Sequence, residues 1–583
     1  MKRIYGLLLM ILFSAGFDTA AQNITNTLGS SGVFTIKDAS INYLTLNQST
    51  GQLNILKTLR LENTTNPATG VIYMGTESFI HGYKPAGTFG FNLFIGSNSG
   101  NFTMTGSGTS CSYNTSLGSY SLTSLTSGHS NSALGMNSLF SNTGGHSNSS
   151  FGFNSMFYNT TGFENTAFGT NTLFSNLVSY GNSAFGFKSL ESNVSHGNSA
   201  FGNRSLQGNT TGINNSAFGS YSLSINLTGE SNSAFGNNSL MLNINGNYNS
   251  SFGNKSLLNN VSGSHNSAFG YQSLVNNTSG SQNSGFGTNA LFSNLDGSWN
   301  TAVGDYTLYF NTSGSLNSSF GNNALHENTT GSDNCAFGHN ALLYSKTGNY
   351  NSSYGSQSLN NNTFGNFNSA FGYFSGTNVT TGSNLTLIGY NTQSSSPTAT
   401  NQVTLGNNQV TSLRCNVTTI TSLSDARDKK NINDLPLGLS FISKLKPRLY
   451  NWDKREWYEG NVSDGSKMQE APTAGFIAQE LDEIQTNENA EWLNLVLKDN
   501  PEKWEATPGN LLPVMVKAIQ ELSVKCEELK MKNDQLNKQL EEMNNMKQSV
   551  AELKAAIEEL KVKSNLVDEK NAHTKTVSNS NNE

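Results

Sequence analysis

A five-residue core, Asn-Ser-Ala-Phe-Gly, returns every 17 residues through most of this chain. Its Gly recurs from Gly118 to Gly406 in 18 copies, with one shorter spacing of 16 between Gly186 and Gly202. Many copies carry Leu four residues after the Gly, as at Leu190, Leu206, Leu240 and Leu274. A second Gly often follows near mid-repeat, as at Gly212 and Gly280. Self-similarity on this scale means a stacked architecture in which each unit buries its apolar face on its neighbours. Seventeen residues are too few for two helices and a turn. They suit two short strands and two turns, one coil of a β-solenoid. The Phe before each Gly and the later Leu are expected to fill the interior, and Gly to turn the corner where other residues are strained. Asn and Ser at matching positions should stack as hydrogen-bonded ladders. With coils about 4.8 Å apart, the array predicts a rod of about 80 Å.

Charge divides the chain. Only 12% of its 583 residues are charged, about half the usual fraction. From Ser424 onward lie 22 of the 33 Lys and Arg and 28 of the 39 Asp and Glu, which leaves 11 of each sign upstream. Between Gly118 and Leu423 there are five basic and seven acidic residues. A glycosidase needs two close carboxylates and a calcium-binding repeat needs an Asp per repeat. So few acids support neither a polysaccharide-degrading tailspike nor a metal-loaded solenoid, and no cofactor or metal is expected. The net charge of −6 does not recommend nucleic acid as a partner. The many Asn-x-Ser/Thr triplets follow from composition and carry little weight as glycosylation sites.

Residues 1–21 read as a signal peptide. Lys2 and Arg3 precede an apolar run from Ile4 to Phe13, and Thr19-Ala20-Ala21 offers small residues for cleavage. No other stretch is apolar enough to span a membrane as a helix. The expected location is therefore secreted or on the cell surface, in a bacterial envelope, with a virion fibre as the alternative. Cys111, Cys335, Cys415 and Cys526 are too scattered for a zinc site or a disulfide framework. Cys335 replaces the usual Ser of a repeat and is expected to be a small buried thiol. Cys526 falls in a helix where symmetry-related chains could bring copies close.

Residues 22–100 alternate like strands, as in Val33-Phe34-Thr35-Ile36, Tyr43-Leu44-Thr45-Leu46 and Val71-Ile72-Tyr73-Met74. The shaft is assigned to 101–421. From 422 to 513 the texture is that of a small α+β domain. Phe441 to Trp452 reads as a helix end, a Pro447 stop and a strand, and Gly475 to Leu481 as a strand turning into a helix. Trp452, Trp457, Trp492 and Trp504 mark a compact core. Over 514–566 apolar residues follow a 3-4 rhythm through Ile519, Leu522, Cys526, Leu529, Leu536, Leu540 and Met543, a coiled-coil seam. Met546 breaks the rhythm as a stammer before Val550, Leu553, Ile557 and Leu560 resume it. Asn533 at an inner position would set register. Residues 567–583 are polar and expected to be disordered.

Two resemblances follow. The stretch Ser424-Asp425-Ala426-Arg427-Asp428-Lys429-Lys430-Asn431-Ile432 resembles the S-D-x-R-x-K-x-x-I opening of the intramolecular chaperone domain of phage tail fibres and endosialidases, peptidase family S74. Lys444-Leu445-Lys446-Pro447 through Trp452, Gly475 through Leu481 and Pro513 through Leu522 resemble its later blocks in order. The array resembles the head repeats of trimeric autotransporter adhesins, which form β-rolls, although 17 residues exceed the period usual there. Together they imply a mainly β fold: a trimeric β-solenoid shaft, a small α+β chaperone domain and a C-terminal trimeric coiled coil.

The first resemblance also implies a self-cleaving protein, an autocatalytic serine endopeptidase that cuts once and turns over no external substrate. Ser424 would be the nucleophile, Lys429 the base and Leu423–Ser424 the scissile bond. Asp425, Arg427 and Asn431 would position the pair and stabilise the transition state. The residues themselves agree on the base: no His lies between Ser424 and Ala572, so a Ser-His pair within this domain is nearly excluded, and Ser-Lys pairs are an alternative. Burial or neighbouring positive charge such as Arg427 would have to favour the neutral amine. The expected function is thus an exported, tail-fibre-like homotrimer, structural or adhesive, toward a surface glycan or host-cell receptor. The alternative is a non-cleaving trimerisation domain on a carbohydrate- or ice-binding solenoid.

Overall fold

The computed structural model describes residues 33–37, 42–47, 49–56, 58–416 and 423–576. The signal segment, the last few residues assigned to the shaft and residues 577–583 lie outside them. The chain forms two compact units, one ending at Thr411 and one beginning at Ser412. Among the described residues no helix is long and apolar enough to cross a membrane.

The first unit is mainly β. Strands Val33–Lys37, Asn42–Asn47 and Gln52–Ile55 form an antiparallel meander. A hairpin of Ile72–Met74 and Glu77–His81 then pairs antiparallel with Leu93–Ile95, and from there every pairing is parallel, coil on coil, to Thr400–Leu405. The two end strands do not pair with each other, so the sheet is an open ladder, a β-solenoid capped at its N-terminal end by the hairpin. Such a cap covers backbone groups that an edge strand would leave unpaired.

Each coil holds one strand, not two, three residues long up to Ser369–Phe371 and six in Ser383–Ile388 and Thr400–Leu405. In the coil beginning at Asn266 it is Ser267–Phe269, paired with Ser284–Phe286 in register. The rest of the coil is turns, because Gln272 and Leu274 take left-handed backbone (φ 55° and 53°). That conformation costs a side-chain-bearing residue about 1 kcal/mol or more, and the stacked neighbours on either side hold it: the Leu274 N–H donates to Ala290 O at 2.9 Å.

Strand alternation decides what lies inside. Asn266 and Ala268 point inward and are fully buried, whereas Ser267 and Phe269 point outward. This corrects the expected inward Phe: it shares a face with Ser, two residues before it, while Ala and Asn share the other. The Phe side chains instead stack along the outside, Phe252–Phe269 with centroids 4.7 Å apart and Phe269–Phe286 at 4.9 Å. Leu274 is buried, as expected. The same alternation corrects Cys335, which occupies the outward Ser position and is half-buried beside the Tyr354 hydroxyl at 3.2 Å.

The interior is largely polar. Asn266 N–H donates to Asn249 Oδ1 at 3.0 Å and its amide to Gly280 O at 2.9 Å. A second ladder runs through Asn277, whose amide reaches Asn260 Oδ1 at 2.8 Å and Gly280 O at 2.9 Å. Buried amides are tolerated here because nearly all find a partner one coil away; Asn362, which bonds Gly365 O within its own turn, is an exception. Gly270 (φ +141°) is required by sterics as well: a Cβ there would come within 2.4 Å of Gly287 O.

The short coil between Gly186 and Gly202 loses its residue from the turn between Asn193 and Asn198, and the strands keep register, Ser183 with Ser199 and Phe185 with Phe201. Ser195 fills the gap, accepting from Asn198 Nδ2 at 3.0 Å and donating to Gly212 O at 2.5 Å.

The second unit is α+β followed by a long helix. Helix α1 (Leu439–Ile442) precedes strand Arg448–Tyr450, which pairs antiparallel with Thr473–Gly475. Helix α2 (Ala478–Asn487) follows, and strands Val496–Leu497 and Glu505–Ala506 pair antiparallel. Helix α3 runs from Leu512 to Thr576, ten residues past the end expected for the helical segment. The core is aliphatic, built on Phe441, Ile484, Leu493, Leu495, Leu511 and Val514. The four Trp do not form it: Trp492 is 54% exposed, and Trp452 and Trp504 lie under the ammonium groups of Lys454 and Lys498, each 5.0 Å from the ring. Phe441 supplies the one ring among the fully buried core residues, aliphatic side chains fill the rest, and the indoles stay outside it.

Candidate functional site

Ser424 to Asn431 make one tight turn. Asp425 precedes a 3-10 turn, Ala426–Asp428, and its Oδ1 accepts the Arg427 backbone N–H at 2.8 Å, the cap Asp supplies at a helix start. The Arg427 guanidinium folds back on the same carboxylate, Nε to Oδ1 at 3.0 Å and to Oδ2 at 3.1 Å. The Arg427 side chain, and then its backbone N–H, hold the Asp425 carboxyl below the usual carboxylate range, and Asp425 in turn raises Arg427. Lys429 closes the turn, donating its N–H to Ala426 O at 3.2 Å.

Closing the turn brings two side chains together: Lys429 Nζ donates to Ser424 Oγ in a short hydrogen bond. A hydroxyl with an amine on its oxygen is the contact a nucleophile and base require. Both are exposed in the single chain, as are Leu423, Asp425, Arg427 and Asn431. Arg427 is committed to Asp425 and does not reach the pair. Asn431 has left-handed backbone (φ 55°), and its carbonyl accepts from Asn433 at 3.0 Å; it re-aims the chain toward Leu435 and Leu437, which pack on the core.

Several contacts that fix this domain carry no motif in the sequence. Gln485 is buried and accepts the Leu495 N–H at 3.1 Å. Arg448 Nε donates to Glu480 Oε2 at 2.9 Å, joining the first strand to α2. Glu521 on α3 caps α1. Arg448, Glu480 and Glu521 lie within the blocks quoted above, but no spacing there signals their contacts, and Gln485 lies in none of them.

The chain thus carries a β-solenoid and, C-terminal to it, a compact α+β domain that opens on a Ser-Lys contact. The family described as chaperone of endosialidase matches residues 424–489. The match begins at Ser424 itself, so this segment is an intramolecular chaperone domain of the S74 kind. It stops short of the block at Pro513–Leu522. No curated protein and no solved structure matches the chain.

Proposed function

We propose that the protein is exported and assembles as a fibre-like homotrimer, and that its chaperone domain drives assembly and then cuts Leu423–Ser424. The observation that carries the reading is the Lys429–Ser424 contact at the first residue of the chaperone match. Assembly is supported by α3. Leu522, Leu529, Leu536, Leu540 and Met543 are all exposed on a single helix roughly 100 Å long. Apolar residues at coiled-coil spacing over such a length call for partner helices.

Because the nucleophile belongs to the residue after the scissile bond, attack is an N-to-O acyl shift. Ser424 Oγ attacks the Leu423 carbonyl carbon and its proton passes to Lys429 Nζ. Lys429 returns that proton to the Ser424 nitrogen as the C–N bond breaks, leaving Leu423 esterified on Oγ. Water then hydrolyses the ester, giving a Leu423 carboxylate and a chain beginning at Ser424 with a free amine. An amine acts as a base only when neutral, which burial favours. The pair is open in one chain, so neighbouring chains are assigned the task of covering it, and cutting follows assembly. Removing the folding aid afterwards leaves the fibre held kinetically.

N-terminal sequencing and native mass of the purified product test this. A chain should begin at Ser424 and contain the 160 residues from there to Glu583, and Ser424→Ala should leave a full-length trimer. A 160-residue fragment from Ser424→Ala would overturn the assignment.

A further inference from the structure

The residue before each of the 18 repeat Gly is apolar without exception, from Leu117 to Leu405, and all but four are aromatic or Val. Strand alternation turns this whole column outward; Phe168 is 36% exposed and Phe371 43%. At roughly 60 Å² apiece the column shows on the order of 1,000 Å² of apolar surface. Soluble monomers rarely expose more than a few hundred contiguous Å², and a stable interface needs about 800 Å² from each partner.

Beside this ridge runs a second outward column two residues earlier, of small side chains: Ser233, Ser250 and Ser267 at the centre, Cys335 further on. Neither column carries a charge. The one coil that lost a residue lost it from a turn, and both columns pass through in register. A flat, uncharged face with an aromatic ridge next to a shallow trough, repeating at the pitch of the coil, is complementary to an identical face placed parallel to it. No irregular partner shares that pitch over so many coils.

We propose that this Ser/Phe face is where shafts of the trimer pack, a second copy of the chain laying its Phe ridge in the Ser trough of the first, coil matched to coil. Such contact is head-to-tail, and it closes as a ring of three when successive copies are rotated by a third of a turn. The inference rests on the trimer reading above and adds which surface of the shaft is hidden.

Maleimide labelling of the full-length chain, mapped by peptide mass, tests it. Cys335 is a native probe in the trough, Ser250→Cys adds a second, and Ser262→Cys reports an exposed turn. In a sample with the mass of three protomers, Cys335 and the Ser250→Cys thiol should react at least about tenfold more slowly than the Ser262→Cys thiol, since a packed interface excludes solvent. Guanidinium should abolish the difference. Equal rates in a three-protomer sample would overturn the face while leaving the trimer intact, and would leave it open to a non-self ligand. A monomeric full-length chain would overturn both.

Discussion

Glu521 on α3 accepts the backbone N–H of Leu439 at 2.7 Å, and so caps helix α1 of the chaperone domain from 82 residues further along the chain. Gly438 makes room for it, since a Cβ there would lie 2.5 Å from the carboxylate. The start of the long helix and the core around Phe441 are therefore one cooperative unit. Replacing Glu521 with Ala should cost about 1–2 kcal/mol, seen as a lower denaturant midpoint for the Trp signal with the far-UV signal of the shaft unchanged.

The solenoid leaves no room at its corner. In Gly270→Ala the new methyl would meet Gly287 O at 2.4 Å on a backbone of φ +141°. The strain alone is worth about 1–3 kcal/mol, and the clash falls on backbone that cannot swing aside. Limited proteolysis should find a new cut within the two coils flanking residue 270 and nowhere else in the shaft.

The buried amides should be harder to replace than buried leucines. Asn277→Leu removes the donor to Asn260 Oδ1 and Gly280 O and the acceptor of Asn294 Nδ2, at 2.7 Å. Orphaning buried groups costs about 1–3 kcal/mol each, so the loss should exceed that of Leu274→Val, a truncation that leaves every polar group paired. Thermal melts of the two variants compare them directly.

The N-terminal cap should be acid-sensitive. His81 is buried, its ring nitrogen 2.8 Å from Ser99 O, and burial lowers its pKa below the usual 6.5 despite that bond. The unfolded chain therefore binds the proton more readily than the folded one. The cap's stability is full above pH 6.5, falls as pH drops below it, and levels off once pH passes the folded pKa. The protection factor at Glu77–His81, with the intrinsic pH dependence of amide exchange divided out, should fall between pH 7 and 5, and His81→Gln should flatten that dependence.

How much was legible differs between shaft and site. The 17-residue period and the corner Gly are local, set by spacing and backbone sterics, and could be read before any coordinates, whereas two strands were expected of each coil and one is present. The Ser424–Lys429 spacing was equally local: five residues and one Asp-capped turn suffice to bring the two side chains together.

Which face of each strand turns inward was not legible, because alternation gives the period of two but not its phase. The phase is chosen by stacking. Only inside the coil can Asn266 find both Asn249 and Gly280, while Phe269 outside keeps a ring above and below it. A polar residue went in and an aromatic one out because the partner one coil away, absent from any local window, determines the cost of burial. The same holds for the Trp residues and for Glu521, whose positions depend on segments far along the chain. Sequence alone determined that the chain must stack and where its charged domain begins; the packed coils decided which side chains the stack hides.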